Sequence, residues 1–112
     1  MPTVFELIIE GKLPSTKVYE SAHVLAIEDI HPVAPVHILI MPKKHIPDFQ
    51  HVKSEDWPIL QEMFQAAQQI AEEKGIANGY RLVTNNGPDA GQIIFHLHFH
   101  LIGGKVFGPK IA

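Results

Sequence analysis

This sequence of 112 residues contains no cysteine. That absence excludes a disulfide framework, a thiolate metal site and catalysis by a thiol. The chain also lacks an apolar run approaching the roughly 20 residues that a membrane-spanning helix needs, and its N-terminus lacks the basic-then-apolar layout of a secretory signal. Together these absences predict a cytoplasmic protein with no membrane partner.

Positive charge is not in excess either. Nine Lys and Arg residues stand against twelve Asp and Glu residues, which gives a net charge of -3 with neutral histidines. A chain without a basic surface is not expected to bind nucleic acid. Its 46% hydrophobic and 19% charged residues are typical of a globular protein, and the length predicts a single domain over residues 1–112.

What the sequence does contain is an alternating stretch of histidines and large apolar residues from His96 to His100. Successive side chains of a β-strand point to opposite faces, so a strand places Leu97, Phe99 and Leu101 in the core. The same geometry aligns His96, His98 and His100 in a row on the other face. In a helix these three histidines would fan out around the axis, so the pattern predicts a strand.

The other elements follow from turn and capping signals. Thr3 and Glu6 match a capping box for a short helix that ends at Gly11, and a long helix is predicted from Ser54 to Gly75. The buried stripe of the long helix is predicted from apolar residues at helical spacing, which are Trp57, Leu60, Met63, Phe64, Ala67, Ile70 and Ala71. Strands are predicted over residues 17–20, 24–29, 36–41, 80–84 and 93–102.

This element order predicts an α+β fold, an antiparallel β-meander of about five strands with one long helix and a short N-terminal helix. One long helix covers only part of a five-stranded sheet. The apolar surface that it leaves bare predicts a homodimer.

The histidine row is compatible with three roles. The histidines could be polar residues on the solvent face of an antiparallel strand. They could hold zinc, since three neutral imidazoles with an open position form a catalytic zinc site. They could also act on phosphorus, because a neutral imidazole is a competent nucleophile near pH 7. The loop over residues 85–91 suits an anion, since its glycines let backbone N–H groups come close and Asn85 can donate from its amide.

The segment from Gly91 to Leu101 resembles the signature of the histidine-triad (HIT) family, in which Gly-Gln precedes three histidines separated by apolar residues. The resemblance extends over nearly the whole chain. It includes Asp29-Ile30 with Pro32, Ala34-Pro35 and His37, then Pro42-Lys43-Lys44-His45-Ile46, then Tyr80-Arg81-Leu82-Val83 with Asn85 and Gly87. Gly103-Gly104 after the triad is similar to the Hint branch, the nucleoside phosphoramidate hydrolases.

The resemblance implies an enzyme that cleaves purine nucleoside 5′-phosphoramidates through a covalent nucleotidyl-histidine, with no metal and no cofactor. It implies that His98 is the nucleophile, that His100 contacts the phosphate and assists the leaving group, and that His96 helps to hold the site. His37 matches a histidine implicated in proton relay. The implied nucleotide-binding residues are Asp29 at the ribose, Ile30 beside the base, and Asn85, Gly91 and Gln92 around the phosphate and leaving group.

Two departures from the family pattern leave alternatives open. Ile93 stands where a Ser or Thr is usual, so a hydroxyl expected near the phosphate is missing. The tail Lys105 to Ala112 lacks the Trp-Pro-rich ending of some Hint proteins. The missing hydroxyl favours a nucleotide-binding regulatory or scaffolding module with incidental catalysis, and the tail leaves the leaving-group preference open. A dinucleoside polyphosphate hydrolase is a further alternative, and the histidine row itself leaves a zinc hydrolase open.

Overall fold

A five-stranded antiparallel sheet with a helix on each face forms the fold, which a computed structural model describes for residues 1–111. The helices are α1 (Val4–Ile9) and α2 (Trp57–Glu73), and the strands are β1 (Lys17–Glu20), β2 (Val24–Glu28), β3 (Val36–Pro42), β4 (Tyr80–Val83) and β5 (Phe99–Gly103). Short 3-10 turns span Phe49–His51, Ser54–Asp56 and Pro88–Ala90. The predicted α+β class is confirmed.

The strand order is β1-β2-β3-β5-β4, with every neighbouring pair antiparallel. The first three strands follow one another as a meander. The order then departs from a simple meander, because the chain crosses one face through α2 and enters β4 at the edge of the sheet before it returns as β5 beside β3. This return places His100 opposite Leu39 and next to His37 of the central strand.

The core lies on both faces of the sheet. Ala26, Ile38 and Ile40 pack under α2, while the residues that alternate with them, including Leu39 and Met41, pack with Phe5 of α1. A strand that is buried on both faces has a continuous apolar run, as β3 does from Ile38 to Pro42.

Helix α1 begins with the predicted capping box. The Thr3 hydroxyl accepts a hydrogen bond from the Glu6 N–H at 3.1 Å, and the Glu6 carboxylate accepts one from the Thr3 N–H at 2.8 Å. Gly11 follows the helix with a φ of 78°, in the left-handed region that favours glycine. The cap fixes the start of the helix that packs Phe5 against the sheet.

Helix α2 carries most of the predicted stripe, with Leu60, Met63, Ala67, Ile70 and Ala71 buried. The prediction was wrong for Trp57 and Phe64, which are 49% and 38% exposed. Both line a groove beside Leu82 of the edge strand β4, where the sheet ends. The helix also begins at Trp57 rather than Ser54, since residues 54–56 form the preceding 3-10 turn.

The last strand is shorter than predicted. Ladder pairing begins at Phe99 rather than residue 93, so His96 and His98 precede the strand. The segment before it is instead held by the turn that follows β3, through a hydrogen bond from the Leu97 N–H to the Ile46 carbonyl at 2.6 Å. Leu97, Phe99 and Leu101 are buried as predicted.

The C-terminal tail lies against β4. One guanidinium nitrogen of Arg81 donates to the carbonyl oxygens of Gly108 at 2.6 Å and Lys110 at 2.9 Å, and the same guanidinium lies over the Phe107 ring. Ala112, the last residue of the predicted tail departure, lies outside the described residues. Within residues 1–111, the helices are too short or too polar to cross a bilayer.

Candidate active site

A cavity of about 630 Å³ opens on the face of the sheet that α1 partly covers. Most of the predicted site residues line it: Asp29, Ile30, His37, Asn85, Gly91, Gln92, His98 and His100. His96 does not line the cavity. The structure thus assembles in one place side chains that come from β3, β5, the loop after β2 and the loop before β5.

His98 presents one ring nitrogen with a free lone pair. Its Nδ1 lies 2.7 Å from the carbonyl oxygen of His96, and because a carbonyl only accepts, Nδ1 carries the proton. Burial lowers the pKa of His98, which keeps the ring neutral and leaves Nε2 unprotonated. The ring of Phe5 packs edge-on against this imidazole, with centroids 4.9 Å apart. His98 therefore has the protonation state of a nucleophile.

The His96 side chain lies outside the cavity, in the protein interior. Its side chain is fully buried, and its Nε2 donates to the carbonyl oxygen of Pro42 at 2.7 Å. Burial lowers the pKa of His96, so this ring is neutral too. Its Nδ1 is buried without a hydrogen-bond partner among residues 1–111. The predicted row of three histidines on one open face was therefore wrong for His96, because its ring points into the interior and only its carbonyl serves His98.

His100 is in contact with two other histidines. Its ring centroid lies 5.2 Å from that of His98, and its Nδ1 lies 2.9 Å from Nε2 of His37. Burial, together with the neighbouring imidazoles of His98 and His37, lowers the pKa of His100 to about 4. The ring is therefore neutral near pH 7 and bears a single proton.

Asp29 lines the cavity from the first position after β2. One carboxylate oxygen accepts from the His31 N–H at 2.8 Å, and the other lies 3.4 Å from Nε2 of His37. The adjacent Ile30 side chain is 84% exposed and lines the cavity wall. A carboxylate beside an exposed apolar side chain can accept from a diol and cover a flat ring.

The loop before β5 is fixed by Gln92. This side chain is 4% exposed; its oxygen accepts from the Gly87 N–H at 2.8 Å, and its nitrogen donates to the carbonyls of Pro47 and Ile94 at 2.8 and 3.0 Å. Gly91 has a φ of 88°, which favours glycine there. The Gln92 amide thus shapes the cavity wall from inside the loop and is already occupied by protein partners.

The site region contains two groups of potential metal ligands, and within each group the ligand atoms lie within 4.8 Å of one another. One is Asp29, His37 and His100 in the cavity, and the other is Glu6, His45 and His96 behind it. Imidazole and carboxylate are ligands that zinc accepts. A chelator control therefore belongs in any assay of this site.

Three contributions to the site were missed in the sequence. Phe5 packs on His98, the Val33 N–H donates to Nδ1 of His37 at 3.1 Å, and His45 donates from Nε2 to the Phe95 carbonyl at 2.9 Å. For Phe5 a signal existed, since it is a large apolar residue in a short capped helix. The hydrogen bond from the Val33 N–H could not be predicted from the sequence, because every residue except proline has a backbone N–H.

Comparisons with known proteins agree with this geometry. A profile of the HIT domain matches residues 10–106. The chain is 44% identical over 111 residues to a purine nucleoside phosphoramidase of Escherichia coli, which covers 98% of this chain and 93% of the relative. It is 49% identical over 108 residues to an uncharacterized HIT-like protein of Chlamydia muridarum, covering 96% and 86%. The solved structure of a HIT family hydrolase from Clostridium thermocellum superposes with a TM-score of 0.95 at 51% identity, covering 98% and 96%.

Proposed function

Since this chain belongs to the HIT family, we propose that it hydrolyses purine nucleoside 5′-phosphoramidates and related nucleoside monophosphoryl compounds through a covalent nucleotidyl-histidine. The relative named a purine nucleoside phosphoramidase supports the substrate class at 44% identity over almost the full chain. The observation that carries the proposal is the free Nε2 of His98 beside the cavity, with Nδ1 held by the His96 carbonyl.

In the first step of the proposed reaction, Nε2 of His98 attacks the α-phosphorus. A bond forms between Nε2 and phosphorus while the bond from phosphorus to the leaving nitrogen breaks, and the leaving amine takes up a proton from solvent. His100 lies within reach of the same phosphoryl group, because its ring centroid is 5.2 Å from that of His98. Its remaining N–H then donates to the phosphoryl oxygen or to the leaving atom as charge develops there.

In the second step, water attacks the phosphorus of the nucleotidyl-histidine. The bond from phosphorus to Nε2 breaks, the nucleoside monophosphate leaves, and His98 recovers its lone pair while the proton lost by water passes to solvent. Both steps use the same His98 tautomer, so the His96 carbonyl serves the whole cycle.

The nucleoside is proposed to occupy the end of the cavity formed by Asp29 and Ile30. The Asp29 carboxylate accepts from the ribose hydroxyls, and the exposed Ile30 side chain covers the base. The leaving group then lies toward the opposite end, beside Asn85, Gly91 and Gln92.

We further propose that the protein is a homodimer through the α2 and β4 face. A groove of about 500 Å³ lies there, lined by residues that include Trp57, Phe64 and Leu82. These three apolar side chains are 36 to 49% exposed, and they flank the edge strand of the sheet. A second copy would cover them and extend the sheet.

The test is incubation with adenosine 5′-phosphoramidate, with and without a chelator, followed by intact-mass analysis after a rapid acid-free quench. We expect adenosine monophosphate, a transient mass increase of one adenylyl group, and the same rate after chelation. His98→Ala should lower the turnover by at least ~10³-fold. The matched control is His51→Ala, since the His51 side chain is 66% exposed and lies outside the cavity. Full turnover in His98→Ala would refute the mechanism.

A second candidate is a nucleotide-binding module with incidental catalysis. Ile93, 86% exposed on the cavity wall, presents no hydroxyl to a phosphate and favours this alternative. Calorimetry with adenosine monophosphate on wild type and His98→Ala separates the two, because a binding module keeps its ligand or partner without turnover. A dinucleoside polyphosphate supplied as a competing substrate tests the remaining hydrolase alternative.

A further inference from the structure

His37 has hydrogen-bond partners that leave it one protonation pattern. The Val33 N–H points at Nδ1 of His37 over 3.1 Å, and a backbone N–H can only donate. Nδ1 must therefore carry a lone pair. A neutral imidazole has one proton, so in His37 that proton lies on Nε2.

The same reasoning extends to His100. Nε2 of His37 lies 2.9 Å from Nδ1 of His100, a distance at which one nitrogen donates and the other accepts. Because His37 holds its proton on Nε2, Nδ1 of His100 is the acceptor. The single proton of His100 is then on Nε2, where it can donate into the site.

The two catalytic imidazoles thus have opposite tautomers. His98 carries its proton on Nδ1 because the His96 carbonyl accepts it, and His100 carries its proton on Nε2 because His37 occupies the other nitrogen. The outcome is one bare nitrogen for attack and one N–H for the phosphoryl group. Two backbone groups, the His96 carbonyl and the Val33 N–H, determine this pairing.

We infer that His37 is a positioning residue that fixes the tautomer of His100, rather than a group that carries protons between the site and solvent. A proton relay through His37 would require Nδ1 to accept a proton as Nε2 gives one up, and Nδ1 already accepts from the Val33 N–H. Asp29, with a carboxylate oxygen 3.4 Å from Nε2, is a second acceptor for the same proton and favours the same tautomer.

The first test needs no substrate. Long-range nitrogen-15 to proton correlation spectra of the wild-type protein at pH 7 distinguish the two tautomers of each histidine. We expect the proton on Nε2 in His37 and His100 and on Nδ1 in His98. A proton on Nδ1 of His37, or a doubly protonated His37 ring, would overturn the inference even if the enzyme were fully active.

The second test is kinetic and rests on the proposed function. His37→Gln places an amide N–H2 near the position of Nε2 but cannot titrate. His37→Leu removes the donor altogether, at a position that is only 7% exposed to solvent. We expect His37→Leu to lower kcat/KM by on the order of 10²-fold and His37→Gln to recover at least about tenfold of that loss.

The nitrogen-15 spectra of the variants complete the design. In His37→Leu, His100 should show a mixture of tautomers, and in His37→Gln the proton should return to Nε2. Equal loss of activity in both variants, with an unchanged His100 tautomer, would assign His37 to proton transfer instead. If wild type hydrolyses none of the nucleotides offered, the proposed function fails while the tautomer assignment is still decided by the spectra.

Discussion

The imidazole of His98 is held by the backbone of His96, with Nδ1 at 2.7 Å from the carbonyl oxygen two residues earlier. The His96 side chain is in turn fixed to the Pro42 carbonyl at the end of β3. The central strand therefore determines the orientation of the proposed nucleophile, His98, through one buried histidine. Burial of the His98 ring lowers its pKa, although the hydrogen bond to the His96 carbonyl opposes that shift, and this has a direct consequence for pH dependence.

Activity should persist in mild acid. Burial lowers the pKa of His98 below its ordinary value of 6.5, and it lowers the pKa of His100 to about 4. The nucleophile loses its lone pair only when pH falls below its own lowered pKa. We expect kcat/KM for adenosine 5′-phosphoramidate to be level from pH 8 to pH 6.5 and to decline only below pH 6.5. A pH-rate profile whose acid limb is centred at or above pH 6.5 would contradict this assignment.

Stability should decline over the same acid range. The unfolded chain protonates His100 as pH falls through 6.5, whereas the folded chain protonates it only near pH 4, so the unfolded state gains protons first. The contribution of neutral His100 to the free energy of unfolding is therefore fully present above pH 6.5. It falls by about 2 kcal/mol between pH 6.5 and about 4, after allowance for the partial exposure of the ring.

Urea unfolding at pH 7.0 and pH 4.5 measures this loss. His100→Gln should reduce the difference between the two free energies of unfolding, and His23→Gln, at an exposed histidine, should leave it unchanged. An identical pH dependence in His100→Gln and wild type would remove His100 as the source.

Local patterns in the sequence predict most of the elements but not their ends or outer surfaces. The Thr3 capping box and the apolar alternation of β5 are local, so they are visible in the sequence. The start of strand pairing at Phe99 is not visible in the sequence, because an extended chain has the same alternation whether or not it has a partner strand. Here the Leu97 N–H donates to the Ile46 carbonyl instead of to a partner strand. Likewise Trp57 fits the helical period but lies past the edge of the sheet.

The site divides in the same way. Residue type predicts side chains that line the cavity, such as His98 and Asp29, since their chemistry is in the side chain. The groups that orient them are backbone atoms of His96 and Val33, whose positions depend on the tertiary fold. Sequence patterns therefore predict side chains that line the cavity, whereas the tautomers of its histidines depend on the tertiary fold.

The Gln92 amide should be required for the shape of the loop before β5. Gln92→Ala leaves the Gly87 N–H and the carbonyls of Pro47 and Ile94 without their side-chain partner. We expect a loss of about 2 kcal/mol in the free energy of unfolding and a raised KM, because the loop forms one wall of the cavity. Gln50→Ala, which removes an exposed amide side chain, is the matched control in urea unfolding and steady-state kinetics. A KM equal to that of wild type would show that the loop keeps its shape without Gln92.

The exposed α2 and β4 face predicts self-association. The chain has a mass of 12.5 kDa, so sedimentation equilibrium should give about twice that value for wild type. Leu82→Lys places a charge in the apolar groove and should shift the protein to the monomer. Val106→Lys, at a residue that is 98% exposed and does not line the groove, should remain dimeric. A monomeric wild type at micromolar concentration would refute the proposed dimer.

Ile93 should limit catalysis without contributing to stability. Its side chain is 86% exposed on the cavity wall, so Ile93→Ser removes almost no buried surface and should change the free energy of unfolding by less than about 0.5 kcal/mol. The new hydroxyl can donate to a phosphoryl oxygen, a hydrogen bond that contributes about 1 kcal/mol and hence an increase of about fivefold in kcat/KM. Ile93→Ala controls for the loss of bulk alone. Equal rates in the Ser and Ala variants would show that a hydroxyl at this position does not reach the substrate, and that leaving-group contacts come from Asn85 and the backbone of the loop.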